Sequence, residues 1–537
     1  MKRWNGWGNV QTSYHLPESG LDYLIYRVGT LNPQPDANNA DVLKTVPVSR
    51  LPAHPLVDLS PGARLAHARG QSLPDWVALR SGRVEVFPDG VARPETDEQV
   101  RQLISFAEEN GFRLIPYGGG TSVVGHINPQ DSATQVMTVS MERMGRLLDL
   151  DELARTATFE AGVTGPELER QLAARGYTLG HFPQSHEYST LGGWIATRSS
   201  GQQSYHYGRI EQLFAGGRIE TPRGRLELPH FPASAAGPDL REFVLGSEGR
   251  LGVITQAKIR VRCLPEAEEF HGVFFPSWEQ GLEAVRSIAQ GGLPVSMLRL
   301  SNPVETETTL ILSGKSWVGL ADRGLKTIGY GPERCLLIFG LTGSRRNVAR
   351  TRRDVASICR EHSGLIVGTI VGKTWQKSRF LSPYLRNTLW DAGVAVDTLE
   401  TALPWSQVPA ASAAIPDSIA AAARTFGEQV LVFAHLSHLY SDGASIYTTF
   451  LFRRTADPDE LLSWWERMKH TASLVVQEHG GTISHQHGVG LDHARYLPNE
   501  KGALGMDVLS AVCRTLDPAG LMNPGKLILG SLSEDHG

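Results

Sequence analysis

The sequence lacks the features that would place it in several common classes of protein. Its four cysteines, Cys263, Cys335, Cys359 and Cys513, contain no C-x-x-C pair, which argues against a disulfide framework and a thiolate metal site. The 52 basic and 56 acidic residues form no long run of one sign, so no nucleic-acid-binding surface is indicated. No stretch approaches the roughly 18 uncharged apolar residues that cross a bilayer. We therefore expect a protein of the reducing cytoplasm with no nucleic-acid partner.

The N-terminus and the length of the chain set further limits. Residues 1–8 include basic side chains, but no apolar core or small-residue cleavage site follows them, so we do not expect a signal peptide. Attachment to the periphery of a membrane through a few exposed apolar side chains stays open. With 537 residues, 41% of them apolar, the chain is long enough to form two or more domains.

Strand and helix signals alternate around glycine-rich turns. The segment 96–99 (Thr-Asp-Glu-Gln) has the capping-box pattern and opens a helix that stops at Gly111. Residues 112–116 then read as a short strand that leads into a triple glycine. Thr164 and Glu167 form a second capping-box pattern, for a helix that ends at Gly176.

Two glycine-rich segments carry the chemistry. In residues 116–125 (Pro-Tyr-Gly-Gly-Gly-Thr-Ser-Val-Val-Gly) the glycines lack a Cβ atom, so backbone amides can approach a charged ligand closely. Residues 480–490 (Gly-Gly-Thr-Ile-Ser-His-Gln-His-Gly-Val-Gly) place His485 and His487 one residue apart. Imidazole is the side chain suited to proton transfer near neutral pH. Together these segments indicate a cofactor cradle and an acid/base site.

An ordered set of segments resembles the alkyldihydroxyacetonephosphate synthases, a family of the vanillyl-alcohol oxidase superfamily with a PCMH-type FAD-binding domain and an FAD-linked oxidase C-terminal domain. The matching segments are 4–8 (Trp-Asn-Gly-Trp-Gly), the loop 116–125, 189–194 (Ser-Thr-Leu-Gly-Gly-Trp), 246–249 (Gly-Ser-Glu-Gly), 400–405 (Glu-Thr-Ala-Leu-Pro-Trp) and 516–526. The resemblance implies an α+β fold in which a two-subdomain PCMH-type FAD-binding domain joins an α+β cap domain with an antiparallel sheet.

The resemblance also implies an order of domains along the chain. We expect an irregular, partly helical N-terminal segment (1–85), the FAD-binding domain (86–264) and the substrate or cap domain (265–475). A C-terminal segment (476–537) would then carry the histidine motif and return to the FAD-binding domain.

FAD is the cofactor that the resemblance implies, bound without a covalent bond and with its pyrophosphate on the glycine loop. Further contacts are expected from the segments that begin near residues 189 and 246 and from the C-terminal segment. The expected cofactor-binding residues are Pro116, Gly118, Gly119, Gly120, Thr121, Ser122, Gly125, Ser189, Thr190, Gly192, Gly193, Thr197, Glu248, Gly249, Gly252, Val253, Ile254 and Asn523.

The same resemblance assigns the chemistry to a few side chains. Arg386 matches an arginine that holds the substrate phosphate, a task suited to the forked guanidinium. The expected catalytic residues are Tyr447, His485, His487, Arg299 and His181, with Arg299 beside the flavin. A tyrosine hydroxyl can relay or orient the proton that an imidazole accepts.

Two positions depart from the synthase pattern. That pattern has histidine at Gln486, whose amide cannot titrate, and commonly has aspartate at Asn387, so we expect a diverged substrate. The related FAD-dependent D-2-hydroxyacid dehydrogenases carry Glu-His at 486–487 and use it with two other histidines to hold a divalent metal. We expect no metal here, because the carboxylate is missing even though His435 and His438 lie close together in the sequence.

Two reactions therefore compete. In the first, the enzyme exchanges the acyl chain of an acyl-dihydroxyacetone-phosphate-like substrate for a long-chain alcohol through a flavin adduct, without net redox change. In the second, FAD accepts a hydride from an alcohol or a 2-hydroxy acid, with His487 or Tyr447 as the base. A flavoprotein scaffold without catalysis is a third hypothesis. We expect the synthase type of reaction, on an anionic small molecule with an apolar portion, in a cytoplasmic homodimer.

Overall fold

The computed structural model of the chain describes residues 2–130, 133–314 and 318–528. The N-terminal part of the chain contains four helices and an edge strand in the described residues. Its elements are α1 (Glu18–Val28), α2 (Asn39–Thr45), β1 (Val57–Asp58), α3 (Pro61–Ala66) and α4 (Leu73–Ser81). No helix in these described ranges is long and apolar enough to cross a membrane.

The first sheet presents the glycine loop. After β1 the chain forms β2 (Gly90–Ala92), α5 (Asp97–Asn110), β3 (Arg113–Tyr117) and β4 (Val136–Ser140). The strand order is β1-β2-β4-β3, and β2, β4 and β3 run parallel. The predicted helix after Thr96 is confirmed, because the Thr96 side chain accepts from the backbone N–H of Gln99 and Gly111 ends the helix at a φ of 70°.

The second sheet is antiparallel. The chain continues with β5 (Leu147–Asp151), β6 (Thr156–Glu160), α6 (Gly165–Ala173), β7 (Tyr177–Thr178), α7 (Leu191–Thr197), α8 (Ser204–Tyr207), α9 (Ile210–Leu213), β8 (Phe214–Thr221), β9 (Gly224–Leu228), α10 (Arg241–Val244), β10 (Val253–Arg260) and β11 (Arg262–Cys263). The strand order is β5-β6-β10-β8-β9. The predicted capping box at Thr164 is wrong, because its side chain makes no cap hydrogen bond and Glu167 pairs with Arg170 instead.

The cap contains one large antiparallel sheet. Its elements are β12 (Ala267–Phe275), α11 (Trp278–Gln290), β13 (Met297–Ser301), α12 (Pro303–Leu312), α13 (Val318–Thr327), β14 (Cys335–Gly343), α14 (Arg345–Glu361), β15 (Leu365–Gly368), α15 (Thr369–Ser378), α16 (Ser382–Asp391), β16 (Val394–Pro404), α17 (Val408–Arg424), β17 (Val430–Leu439) and β18 (Gly443–Arg453). The strand order is β15-β12-β14-β13-β17-β18-β16. Together with the two smaller sheets, this architecture confirms the predicted α+β class.

The C-terminal segment returns to the first sheet. It contains α18 (Pro458–Glu478), a short 3-10 helix (Ala494–Tyr496) and α19 (Leu497–Leu516). Beyond α19, the backbone N–H of Asn523 donates to the carbonyl oxygen of Leu114 over 2.7 Å. The backbone N–H of Leu114 in turn donates to the carbonyl oxygen of Leu521 over 2.9 Å. These two bonds join the C-terminal segment to β3. The domain limits themselves stay predictions.

Asn387 holds the N-terminal motif in place and does not line the substrate side of the cap. The backbone N–H of Trp7 donates to its Oδ1 over 3.1 Å, and its Nδ2 donates to the carbonyl oxygen of Trp7 over 3.0 Å. A Cβ atom on Gly6 would lie 2.4 Å from Oδ1 of Asn387, so glycine is required there. The departure at Asn387 is therefore structural, which corrects the prediction that it reflects a diverged substrate.

Candidate active site

A cavity of about 830 Å³ lies where the two smaller sheets meet the cap sheet. Its walls come from the loop after β3, from α7, from the segment that precedes β10, from α16, and from β13, β16, β17 and β18. This volume falls within the range of ligand-binding pockets, about 300–1,000 Å³. The cavity therefore brings both glycine-rich segments and the cap together around one space.

The glycine loop presents free backbone amides to this cavity. None of the amides from Gly118 to Val124 donates a hydrogen bond to another described residue. A Cβ atom on Gly119 would lie 1.9 Å from the carbonyl oxygen of Tyr188, and Gly120 has a φ of 73°. Only glycine fits such close packing and such a backbone angle. Successive free amides form a cradle for an anion such as a pyrophosphate.

The opposite wall is formed by α7 and by the segment before β10. Oγ1 of Thr190 accepts from the backbone N–H of Gly193 over 3.3 Å and so begins α7 at the cavity wall. Gly252 has a φ of 150°, and a Cβ atom there would lie 2.4 Å from the carbonyl oxygen of Glu220. A Cβ atom on Gly118 would lie 2.3 Å from Oγ1 of Thr190, so the start of α7 packs directly against the glycine loop.

Glu248 connects the cavity to the histidine segment. Its carboxylate accepts from the backbone N–H groups of Val489 and Gly490 over 2.5 and 2.8 Å and lies 3.1 Å from Nε2 of His126. Burial opposes ionisation, but His126 and the two amides outweigh it and hold the pKa of Glu248 below its usual value. Asn523 completes the contact by donating to the carbonyl oxygen of Glu248 over 2.6 Å.

Nearly all of the residues expected to contact FAD line the cavity. They are Pro116, Gly118, Gly119, Gly120, Thr121, Ser122, Ser189, Thr190, Gly192, Gly193, Thr197, Glu248, Gly249, Gly252, Val253, Ile254 and Asn523. Gly125 lies off the wall, where a Cβ atom would approach Leu491 to 3.1 Å. The free amides and the absent Cβ atoms fit a cofactor with a pyrophosphate, and the individual contacts stay predictions.

Glu400 positions the histidine segment. This residue of β16 is fully buried, and its Oε1 accepts from the backbone N–H groups of Gln486 and His487 over 2.7 and 2.5 Å. Burial raises the pKa of Glu400 to about 7, and the two amides only partly offset this rise. The carboxyl can therefore exchange a proton near neutral pH, at a point 3.5 Å from Nδ1 of His487.

Tyr447 and His487 meet inside the cavity. The Tyr447 hydroxyl lies 3.5 Å from Nε2 of His487. Burial raises the pKa of Tyr447 well above its usual value, and burial together with Lys469 lowers the pKa of His487 to about 3. Both groups are therefore uncharged at neutral pH. The hydroxyl can donate, and the imidazole can accept.

Sheet register places an ion pair beside Tyr447. Tyr447 on β18 lies opposite His435 on β17, and the two rings stack with centroids 5.1 Å apart. Nη2 of Arg299 lies 3.2 Å from Nδ1 of His435 and 2.7 Å from Oε1 of Glu305. Burial opposes ionisation of Glu305, but Arg299 and His435 lower its pKa to about 2. Arg299 is thus neutralised by a carboxylate that the sequence did not reveal.

Arg386 lines the cavity and has unused hydrogen-bonding capacity. Its Nη1 donates to the carbonyl oxygen of Gln71 over 2.5 Å, and the guanidinium stacks on the Trp76 ring at 4.4 Å. Nε and Nη2 are buried and have no partner among the described residues. Burial lowers the pKa of Arg386 to about 10, so it stays cationic at neutral pH.

The two remaining expected histidines lie behind the cavity wall. Nε2 of His181 is 3.2 Å from Oγ of Ser199, and Ser199 lines the cavity while His181 does not. Nε2 of His485 is 2.6 Å from the hydroxyl of Tyr440. Burial and the neighbouring His438 and Arg209 hold the pKa of His485 well below its usual value. Both can act only through groups that face the cavity, and their catalytic roles stay predictions.

Several wall residues were not assigned a role from the sequence. His435 and His438 stood out only by their spacing, while Glu305 and Arg379 carried no signal, because their positions depend on strand pairing and helix packing. Part of the wall is apolar and lies on α12, α16, β16, β17 and β18. The apolar residues are Leu312, Leu385, Leu389, Val396, Phe433 and Leu451.

A metal site is not evident in the part of the chain that the structure describes. No group of three His, Cys, Asp or Glu side chains there is arranged to hold an ion. The expected absence of a metal stays a prediction.

Two family models and several curated relatives match this chain. A family model described as the FAD binding domain matches residues 88–228, and one described as FAD linked oxidases, C-terminal domain, matches residues 264–527. The chain is 33% identical to the alkyldihydroxyacetonephosphate synthase of Dictyostelium discoideum over 474 residues, which cover 87% of this chain and 77% of the relative.

Solved structures extend the similarity to the whole fold. A structure of an alkyldihydroxyacetonephosphate synthase matches with a TM-score of 0.82 and 28% identity and covers 97% of this chain and 98% of that chain. A structure of p-cresol methylhydroxylase matches with a TM-score of 0.66 and 14% identity over 88% of this chain and 94% of that one. The second match shows the shared PCMH-type fold alone.

Proposed function

Because this chain belongs to the alkyldihydroxyacetonephosphate synthase family of FAD-dependent enzymes, we propose that it exchanges the acyl chain of an acyl-dihydroxyacetone phosphate for a long-chain alcohol. When bound, FAD supplies a ring system that can react with the substrate carbon and return to its oxidised state without net redox change. The glycine loop, α7 and the segment before β10 would hold the cofactor.

The unsatisfied guanidinium of Arg386 is the observation that carries this proposal. Its Nε and Nη2 have no partner in the described ranges, and the residue lines the cavity. Two parallel N–H donors suit a phosphate, which accepts through several oxygens. Leu389, one turn further along α16, faces the same cavity and offers an apolar surface. The arrangement thus matches a molecule with an anionic end and an apolar chain.

The exchange reaction also needs proton transfer. The bond between carbon and the acyl oxygen breaks with its electron pair on the departing carboxylate, and a bond forms between the same carbon and the alcohol oxygen. The alcohol proton must leave. Tyr447, His487 and Glu400 form a line of groups that can orient and move a proton, since the first two are uncharged and the third has a pKa of about 7.

Product analysis tests the proposal. The purified FAD-containing protein would be incubated without oxygen with palmitoyl-dihydroxyacetone phosphate and hexadecanol, while flavin absorbance is followed and products are identified by mass spectrometry. We expect hexadecyl-dihydroxyacetone phosphate and free palmitate in equal amounts, with the flavin oxidised at the end. Absence of the ether product in protein that retains FAD would overturn the proposal.

Oxidation of an alcohol or a 2-hydroxy acid is the second candidate. It is favoured by Gln486, an amide that lines the cavity and cannot titrate, and by the FAD linked oxidase model over residues 264–527. In that case His487 or Tyr447 would take the hydroxyl proton, and a bound FAD would supply the hydride acceptor. Bleaching of the flavin under anaerobic conditions by a member of a panel of alcohols and 2-hydroxy acids, without ether formation, would support this alternative.

We also propose that the enzyme is a cytoplasmic homodimer with FAD bound non-covalently. The described cysteines support a reducing compartment, because all of them are free and only Cys263 is exposed. Light scattering during size-exclusion chromatography would test the dimer, and release of FAD by acid precipitation would test the non-covalent attachment. Sedimentation with vesicles would test a peripheral contact with membranes.

A further inference from the structure

His438 is a buried imidazole that the proposed reaction does not yet use. It lies on β17, lines the cavity and is 8% exposed. Its Nδ1 lies 3.3 Å from Oγ of Ser200 and 3.2 Å from Oγ of Ser204. The two hydroxyls are 2.9 Å from each other. This pair fixes the ring orientation and occupies Nδ1, and Nε2 is the ring nitrogen that these two hydroxyls do not contact.

The same imidazole adjoins the position where the synthase pattern is broken. The side chain of Gln486 contacts the His438 ring, and both residues line the cavity. The His485 ring lies on the same side, with a centroid distance of 4.9 Å to His438. An imidazole is therefore present beside residue 486, although it comes from β17 of the cap and not from the C-terminal segment that carries Gln486.

From this arrangement we propose that His438 is a catalytic residue that supplies the proton-accepting imidazole lacking at position 486. As the alcohol oxygen bonds to the substrate carbon and the carboxylate leaves, Nε2 of His438 takes the hydroxyl proton and later passes it to solvent, while Tyr447, His487 and Glu400 orient the reacting groups and do not accept that proton. No electrons are gained or lost overall. This role rests on the proposed exchange reaction, and it places the hydroxyl group of the alcohol next to His438.

The charges around His438 are compatible with this task. The titratable groups that face it are Arg209, His181, His435 and His485. Burial and the Arg209 charge lower the pKa of His438 to about 3, so the ring is uncharged with an open lone pair but is a weak base in the protein without substrate. A bound phosphate brings negative charge into the same cavity and opposes the effect of Arg209, which strengthens the base when substrate is present.

A reciprocal exchange of the two side chains tests the proposal. The variants are His438→Gln, Gln486→His and the double variant, assayed for ether formation from palmitoyl-dihydroxyacetone phosphate and hexadecanol. We expect His438→Gln to lower kcat by at least roughly 10²-fold, as loss of a general base does. The double variant should regain at least about tenfold of that loss. His271→Gln, a buried histidine paired with Glu269 away from the cavity, is the matched control and should keep full activity.

A spectroscopic measurement separates this inference from the proposed function. In protein labelled with ¹⁵N-histidine, the resonance that disappears in His438→Gln should shift when a soluble alcohol such as octanol is added to the FAD-containing wild type. FAD content and melting temperature establish that each variant is folded, and His438→Asn replaces the Gln variant if that one loses FAD.

The possible outcomes are distinct. If the wild type forms no ether product, the proposed function is refuted. The octanol-dependent shift then still tests whether an alcohol binds beside His438. Wild type that forms the product, with His438→Gln retaining activity within about twofold, overturns the role of His438 as a base. A loss in His438→Gln that the double variant does not recover, without an octanol-dependent shift, also overturns it and leaves His438 as a structural residue held by the two serines.

Discussion

Removal of the Arg386 guanidinium is predicted to weaken substrate recognition strongly. Nε and Nη2 are buried without a partner in the described part of the chain, so a phosphate that reaches this edge of the guanidinium could accept from both. Each charge-assisted hydrogen bond contributes about 1.5–3 kcal/mol. Loss of both costs about 3–6 kcal/mol, which corresponds to a fall in kcat/KM of roughly 10²–10⁴-fold.

Steady-state kinetics of Arg386→Ala would measure this loss, with palmitoyl-dihydroxyacetone phosphate varied at saturating hexadecanol. We expect the FAD content to stay at the wild-type level. Arg386→Lys should give an intermediate value, because lysine keeps the charge but lacks the fork of parallel donors. Arg83→Ala is the matched control, since Arg83 is 57% exposed and pairs with Asp459 at the surface.

Stability provides a check that the variant is folded. Burial lowers the pKa of Arg386 to about 10, which means that the buried cation opposes folding, while the contacts with Gln71 and Trp76 favour it. These effects offset each other, so the melting temperature should change little. A kcat/KM for folded Arg386→Ala within about threefold of the wild type would refute the assignment of Arg386 to the substrate phosphate.

Three further predictions concern the proton-transfer groups and the cofactor loop. Tyr447→Phe should keep FAD but lower turnover by about 10²-fold, because only the hydroxyl is removed; wild-type turnover would return Tyr447 to a packing role. The raised pKa of Glu400 adds stability that is fully present below pH 4.5 and is lost as the pH rises through about 7. In thermal melts between pH 4 and 8, Glu400→Gln should reduce the change in the free energy of unfolding with pH by up to about 3 kcal/mol. A variant with the same pH profile as the wild type would contradict the raised pKa. Gly119→Ala should release FAD, because the new Cβ atom would lie 1.9 Å from a carbonyl oxygen. The control Gly62→Ala should keep FAD, because no atom lies near its Cβ position. Equal FAD absorbance in the two purified variants would argue against the cradle.

Local features of the fold could be predicted where one short segment contains the whole signal. The helix after Thr96 and the strand that leads into Gly118 follow from a cap, an apolar spacing and a glycine stop. The same rule failed at Thr164, whose side chain makes no cap hydrogen bond although the sequence pattern is present. A capping pattern indicates which side chains could cap the helix. The rotamer that each side chain adopts depends on the neighbouring groups that compete for its hydrogen bonds.

The candidate site could be predicted only in part. Tyr447 and Arg386 were singled out because they lie in sequence motifs. A motif can be matched along the sequence without knowing which residues are in contact in the folded protein. Glu305 had no motif, yet it neutralises Arg299 over 2.7 Å. Asn387 had a motif, yet its amide holds the backbone of Trp7 and does not line the cavity.

The sequence by itself determined the α+β class, the position of the glycine loop and the family of the enzyme, because these follow from local backbone preferences and from the order of motifs along the chain. Only the tertiary structure decided which groups share the cavity. The register of β13, β17 and β18 brings Arg299, His435 and Tyr447 together, and the fold places His438 beside Gln486. Pairing between distant strands sets these contacts, and burial then sets the pKa values, so neither can be read from residues that are neighbours in the sequence.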